Sequence, residues 1–243
     1  RLDLYKVKLK NGKGKIHAKG NRSTIDWFVD KDGKILARED FDNKENKHKV
    51  FSKISGKWNL IYSHETNIPD INVQAVSSDG TNLLFISGTA IFSMSLSDGT
   101  IQGPVYHRED ADVGYIMTDI NQKLILVKYS GFTPSYDFSK VADNDTFAML
   151  SSYFPSSSVH YIDSTSNENK WLIQVSGNGG AGAYKIYNRG KNQLRNLVSQ
   201  YPEIQSIGEV KAVKFKARDG MQVPSIITLP VDPKKRQNLP LIA

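Results

Sequence analysis

The sequence predicts an all-β chain: a β-propeller fragment of about four four-stranded blades, with one short inserted helix. Three observations predict it. Apolar and polar residues alternate in short runs along most of the chain, which is the period of half-buried strands. The runs are joined by tight Asp-Gly and Asn-rich turns, residue types that accept the positive φ hairpins require. Strand–turn–strand units also recur, with turn centres near residues 33, 80, 122 and 169, that is at steps of 47, 42 and 47.

The opening "LDLYKVKLKNGKGKIHAKG" reads as the last two strands of an earlier blade, turning at Gly12. Lys6, Lys8 and Lys10 alternate with Tyr5, Val7 and Leu9, so the lysines line the solvated face of a strand. "TIDWFVD" (24–30) then leads through Lys31-Asp32-Gly33-Lys34 into "ILARED". "INVQAVS" (71–77) leads through Ser78-Asp79-Gly80 into "NLLFIS". "VGYIMTD" (113–119) leads through Asn121-Gln122-Lys123 into "LILVKYS". "VHYIDST" (159–165) leads through residues 167–170 into "WLIQVS". A second turn follows at Gly56, Gly99 and Gly190, which implies four strands in each repeat. After "LILVKYSGF" the alternation breaks. Phe147, Leu150 and Phe154 fall at i, i+3 and i+7, flanked by Met149 and Tyr153. That spacing predicts an amphipathic helix inserted into the third blade, capped by Asp143 or Asn144 and stopped by Pro155. Its expected role is to cover a blade edge, with contact to substrate as the alternative.

The chain has 243 residues, of which 39% are hydrophobic and 23% charged, enough for a real core. No apolar run approaches the ~20 residues of a membrane-spanning helix, and no membrane partner is expected. There is no cysteine. That removes disulfides, thiolate zinc sites and a cysteine nucleophile, and leaves cytoplasm and periplasm equally open to a soluble chain. The N-terminus "RLDLYKVKLK" has neither an initiator Met nor an apolar signal region, and the C-terminus "NLPLIA" lies in an apolar run. Both ends read as those of a fragment. The net charge of +7 is concentrated: residues 1–60 carry +8 and the other residues −1. Such a stripe could meet nucleic acid or an anionic surface, but no nucleic-acid motif accompanies it. A solvated strand face is the preferred reading.

Gly177, Gly179 and Gly182 spell G-x-G-x-x-G, the spacing of a dinucleotide-binding loop. That loop needs a helix behind it to hold the pyrophosphate. Here "AYKIYN" follows, alternating like a strand, so the glycines are assigned to a tight corner and no cofactor is expected. The histidines, at 17, 48, 64, 107 and 160, form no close pair in sequence and give no metal signature. "VDKDG" (29–33) lacks the other ligands of a calcium loop and reads as a hairpin turn. "REDAD" (108–112) reads as a solvated acidic loop. No G-x-S-x-G occurs, so there is no nucleophile elbow. No catalytic, cofactor-binding or metal-ligating residue is therefore assigned.

The final stretch carries a resemblance. In "VKFKARDGMQVPSIITLPVDPKKRQNLPLIA" (213–243), a strand with an aromatic residue leads to Arg218-Asp219-Gly220. Val223-Pro224, Leu229-Pro230, a charged loop and Leu239-Pro240-Leu241-Ile242 follow. This resembles the junction of the prolyl oligopeptidase family of serine peptidases, which includes acylaminoacyl-peptidases, dipeptidyl peptidases and oligopeptidase B. "DNDTFAMLSSYFP" (143–155), "SVHYID", "WLIQVS" and "AYKIYN" resemble the helix and final blade of bacterial members. The loop 177–182 is richer in glycine than the family pattern, and the family's propeller usually has seven or eight blades.

The resemblance implies a propeller region at 1–206, an incomplete ring, and a junction at 207–243 with the first strand or strands toward an α/β-hydrolase domain. In the family the catalytic Ser, Asp and His lie in that following domain. None has a matching position here, so this chain alone is expected to be inactive. The implied parent hydrolyses short peptides through an acyl-enzyme, and the propeller gates access to it. The implied partners are short peptide substrates and the chain's own hydrolase domain. Exposed blade edges favour a homo-oligomer. The alternative is a stand-alone propeller that binds a protein or glycan partner.

Overall fold

The computed structural model describes residues 1–155, 157–177, 180–237 and 239. Nearly every period-two run becomes a strand, and the strands pair antiparallel in sequence order. A first hairpin joins β1 (Leu4–Val7) to β2 (Gly14–Ala18). The first full sheet runs β3 (Thr24–Val29), β4 (Ile35–Asp42), β5 (Lys47–Ser52), β6 (Asn59–Glu65). The second runs β7 (Asn72–Val76), β8 (Asn82–Ser87), β9 (Ala90–Ser95), β10 (Ile101–Tyr106). The third has three strands, β11 (Val113–Thr118), β12 (Leu124–Tyr129) and β13 (Ser135–Phe138). One helix, α1 (Val141–Ser152), precedes a four-stranded sheet of β14 (Ser158–Ser164), β15 (Lys170–Gly177), β16 (Gly180–Asn188) and β17 (Gln193–Ser199). A last hairpin pairs β18 (Val210–Lys216) with β19 (Gln222–Thr228).

The repeat is legible in the turns. From β3 onward, the first and second strands of each sheet are joined by a similar loop of five or six residues, closed by two backbone hydrogen bonds. Asp30 and Lys34 close the first, Ser77 and Asn82 the second, Asp119 and Lys123 the third, and Thr165 and Lys170 the fourth. Ala217 and Met221 close a fifth in the β18–β19 hairpin. The positive-φ corner is Gly33, Gly80, Gln122, Glu168 and Gly220 in turn. Successive antiparallel meanders, each with this turn between its first two strands, are the blades of a propeller.

The structure refines three expectations. Among the described residues three sheets have four strands, and the third has three. After Phe138 the sequence changes from period two to helical spacing, so the chain leaves the sheet as α1 instead of laying down a fourth strand. That helix stands between β13 and β14, begins at Val141 and ends at Ser152, ahead of Pro155. Asp143 is in its first turn, where it pairs with Arg189. At Gly190 the corner is a short 3-10 turn (Arg189–Lys191), and the left-handed residue is Asn192 with φ 48°. In the first hairpin, Lys8 and Leu9 lie beyond β1, and Tyr5 and Val7 are exposed, as are the lysines.

Two compact units can be distinguished. One holds Arg1–Ser130 with Ser135–Val141, the other Gly131–Pro134 with the chain from Ala142 onward. In the first unit the sheets pack face on. Phe28, Leu36 and Val50 of the first sheet share a core with Ile71, Val73, Leu83, Phe85 and Met94. Ala75, Leu84 and Ile91 of the second sheet share another with Leu124, Val127 and Tyr129 of the third. Fully burying each such large side chain is worth roughly 1.5–3 kcal/mol. The first-strand edges converge: Val76 bridges Lys123 in parallel, and the Val29 N–H donates to Gln122 Oε1 at 3.1 Å. In the second unit Trp171 is buried, with Tyr161 edge-on at 5.1 Å.

Candidate functional site

A group of interacting ionisable side chains lies in the first sheet, on one face of β4, β5 and β6. Hairpin register builds it. The β5–β6 pairing places His48 directly opposite His64, and the β4–β5 pairing places it opposite Phe41, two residues from Glu39. The connection from β6 to β7 then brings Asp70 back over the same face. His48 is fully buried. Its Nε2 lies 2.7 Å from Glu39 Oε1 and its Nδ1 3.0 Å from Asp70 Oδ1. The second oxygen of Asp70 accepts from the Tyr62 hydroxyl at 2.5 Å and lies 2.7 Å from His64 Nδ1. The rings of Phe41 and Tyr62 meet His48 edge-on at 5.9 and 5.7 Å.

The electrostatics follow from burial and pairing. Burial raises the Glu39 carboxyl above its ordinary range, and Asp26, its register partner on β3, pushes the same way, while His48 partly offsets both. Burial pulls the His48 imidazole down, yet its hydrogen bonds to Glu39 and Asp70 outweigh that, and the net shift is upward. Asp70 is raised by desolvation but more strongly lowered by Tyr62 and His48 together, so it lies below the usual carboxylate range. Burial and the neighbouring Asp70 raise the Tyr62 phenol, which therefore stays a donor.

A surface cavity of about 420 Å³ opens beside the cluster, lined among others by Ile25, Asp26, Glu39, Pro69, Asn72 and Gln74. Carboxylates and side-chain amides on its wall suit it to hydrogen bonds from peptide or amine donors. A second cavity, of about 390 Å³, lies in the last four-stranded sheet, with Phe154, Gly180, Gly182, Lys185, Tyr201 and Ile204 among its lining residues.

The motifs singled out in the sequence are placed as follows. Gly177 ends β15 with φ 111°, and Gly182 lies inside β16 with φ 106°, while Gly179 is outside the described residues. A strand, not a helix, follows the glycines, so no helix N-terminus faces a phosphate there. Asp30 caps its own turn by accepting from the Asp32 and Lys34 N–H groups. Arg108 leaves the acidic loop to pair with Asp137 at 2.6 Å and to stack on Tyr129 at 4.1 Å. His17 Nε2 lies 2.9 Å from the Gly33 carbonyl, His107 is an exposed loop residue and His160 lies in β14. His48 and His64 are engaged with carboxylates. Sequence spacing alone did not pair these two, although both lie eight residues from Gly56 at the β5–β6 corner. Among the described residues no group of three or more His, Asp or Glu side chains is arranged to hold a metal ion.

No protein-family model and no curated protein sequence matches this chain. Solved structures do. A Mycobacterium tuberculosis puromycin-hydrolyzing peptidase matches 92% of the chain with a TM-score of 0.53 at 10% identity, over 36% of its own length. Prolyl oligopeptidase B from Galerina marginata matches 88% with a TM-score of 0.52 at 13% identity, over 32% of its length. Porphyromonas gingivalis dipeptidyl peptidase 4 matches 94% with a TM-score of 0.52 at 9% identity, over 35% of its length. The chain thus spans about a third of the structures it is similar to, and its fold is the propeller fold those enzymes contain.

Proposed function

We propose that this chain is the propeller part of a serine oligopeptidase that hydrolyses short peptides, and that its blades gate the approach of substrate to a catalytic α/β-hydrolase domain. One observation carries the reading. The blades, with their repeated turn, match peptidase structures over 88–94% of this chain but only 32–36% of theirs. The Arg218-Asp219-Gly220 turn and the Pro-containing strand behind it support the same assignment, because they resemble the family's passage from propeller to hydrolase. Gating needs no special side chain. A rigid set of packed sheets excludes bulky substrates by volume, which suits a region rich in strands and without a nucleophile elbow.

The experiment uses the full-length gene product. A fluorophosphonate probe should label one serine, and that serine should lie outside residues 1–243. Cleavage of a ladder of peptides should fall steeply with length and vanish on a folded protein. Absence of probe labelling would remove the peptidase assignment. Labelling with length-independent cleavage would keep the peptidase and remove the gate.

A further inference from the structure

We propose that His48 is the pin of a pH-operated latch, which holds the 66–71 connection onto the first sheet and releases it as pH rises. The geometry carries this independently of the peptidase reading. Both ring nitrogens of His48 face carboxylate oxygens, at 2.7 Å to Glu39 and 3.0 Å to Asp70. An ionised carboxylate only accepts, and a neutral imidazole has a single N–H. Both contacts are hydrogen bonds only while the Glu39–His48–Asp70 triad keeps one proton beyond the neutral ring. When that proton leaves, one contact becomes acceptor against acceptor in a buried place, where it is costly.

The end that lets go is Asp70. Glu39 sits mid-strand in β4, paired on both sides, and its side chain is 6% exposed. Asp70 sits in the connection, is 28% exposed, and keeps Tyr62 and His64 as partners nearer to solvent. The other charges near the triad are few. Asp26 on β3 and Asp40 on β4 act on Glu39, and Asp40 is itself tied to Arg38 at 2.7 Å. Lys47 and Lys49 on β5 are drawn to Glu45, each at 3.8 Å. None of these replaces the lost proton.

The sign follows from His48. Its folded value lies above the ordinary 6.5, so the contribution of the His48 proton is fully present below 6.5 and is lost, opening the latch, as pH rises through the folded value. The connection delivers Ile71 into the core shared by the first two sheets and then enters β7. Release therefore loosens the seam between those two blades, a local opening of the kind that precedes global unfolding.

Hydrogen exchange of the peptide covering 66–71 in the full chain, corrected for intrinsic exchange, is the test, alongside NMR titration of the His48 ring. Protection should drop through the His48 transition, by about tenfold for each pH unit that separates the latched and released values. His48→Gln and Asp70→Asn should abolish the step, and His64→Gln should keep it. Protection that does not change through the His48 titration, or a ring that titrates at or below 6.5, overturns the latch. These two wild-type measurements decide the matter even where a variant fails to fold. A step that disappears in His64→Gln overturns the assignment to His48.

Discussion

Arg189 donates from Nη1 to Asp143 Oδ1 at 2.7 Å, while its guanidinium lies 5.0 Å over the ring of Trp171. The pair fastens the first turn of α1 to the corner between β16 and β17. Asp143 is buried, so it would be left as an uncompensated charge without its partner. Arg189→Met should destabilise the chain by about 2 kcal/mol, below the full cost of a deeply buried pair because Arg189 is partly exposed. Urea unfolding should show a lower midpoint at unchanged slope. An unchanged midpoint would mean that solvent already screens the pair.

The repeated corners differ in what surrounds them. Gly80 and Gly99 both have positive φ, 76° and 80°. A Cβ at Gly80 meets nothing within 4 Å, whereas at Gly99 it would sit 1.9 Å from the Ile61 carbonyl oxygen. Gly80→Ala should cost about 1 kcal/mol, the conformational term alone. Gly99→Ala should cost roughly 3 kcal/mol or more, because β6 must also move. Equal thermal shifts for the two would contradict the close approach of β6 to this corner.

Arg38 is packed among rings, 5.0 Å from Phe51, 5.0 Å from Trp58 and 5.8 Å from Trp27, and pairs with Asp40 at 2.7 Å. Its Nε has no hydrogen-bond partner, so stacking and the single ion pair hold it. Arg38→Lys keeps the charge and loses the planar face. The expected cost is about 1–2 kcal/mol, read from denaturant midpoints and a changed Trp fluorescence. A silent substitution would show the stacking to be incidental.

Acid should weaken the first sheet through Asp70. Its folded value is below the ordinary 3.8, so its stabilisation is present above 3.8 and lost as pH falls through the lower folded value. Asp70→Asn should flatten this acid limb as well as the alkaline step assigned to His48. Midpoints recorded from pH 2 to 9 check both ends, and an acid limb identical in the variant would assign it to other carboxylates.

Residues 1–243 expressed alone should self-associate. Leu197 and Val198 on β17, Phe215 on β18 and Ile226 on β19 are 54–56% exposed, on strands that border their sheets among the described residues, and exposed apolar border strands invite pairing between copies. Light scattering should give a mass that climbs with concentration. A constant monomer mass at high concentration counts against this.

Much of the fold is written in local chemistry. The strand pair around Gly33, for example, needs only alternation and a residue that accepts positive φ, and both are visible in seven or eight letters. The same holds for the turns at Gly80 and Gly99 and for the strand behind Gly182, which removes the dinucleotide reading. The end of the third sheet was legible as a loss of alternation, but not as a missing strand. The helical spacing of Phe147, Leu150 and Phe154 marks where the chain turns to helix, but spacing does not count the strands laid down before it.

The cluster in the first sheet was not legible. Glu39, His48, Tyr62, His64 and Asp70 span β4, β5, β6 and the connection beyond, and apart from the equal distance of His48 and His64 from Gly56 no spacing rule relates them. Sequence determined that each hairpin forms and where it turns, because those choices are decided within a few residues by backbone sterics and side-chain period. Only the tertiary structure decided that Asp70 returns over His48, because that contact depends on how one sheet packs on the next. Burial then did what no isolated segment can do: it removed water from a histidine between two carboxylates and made its proton part of the fold.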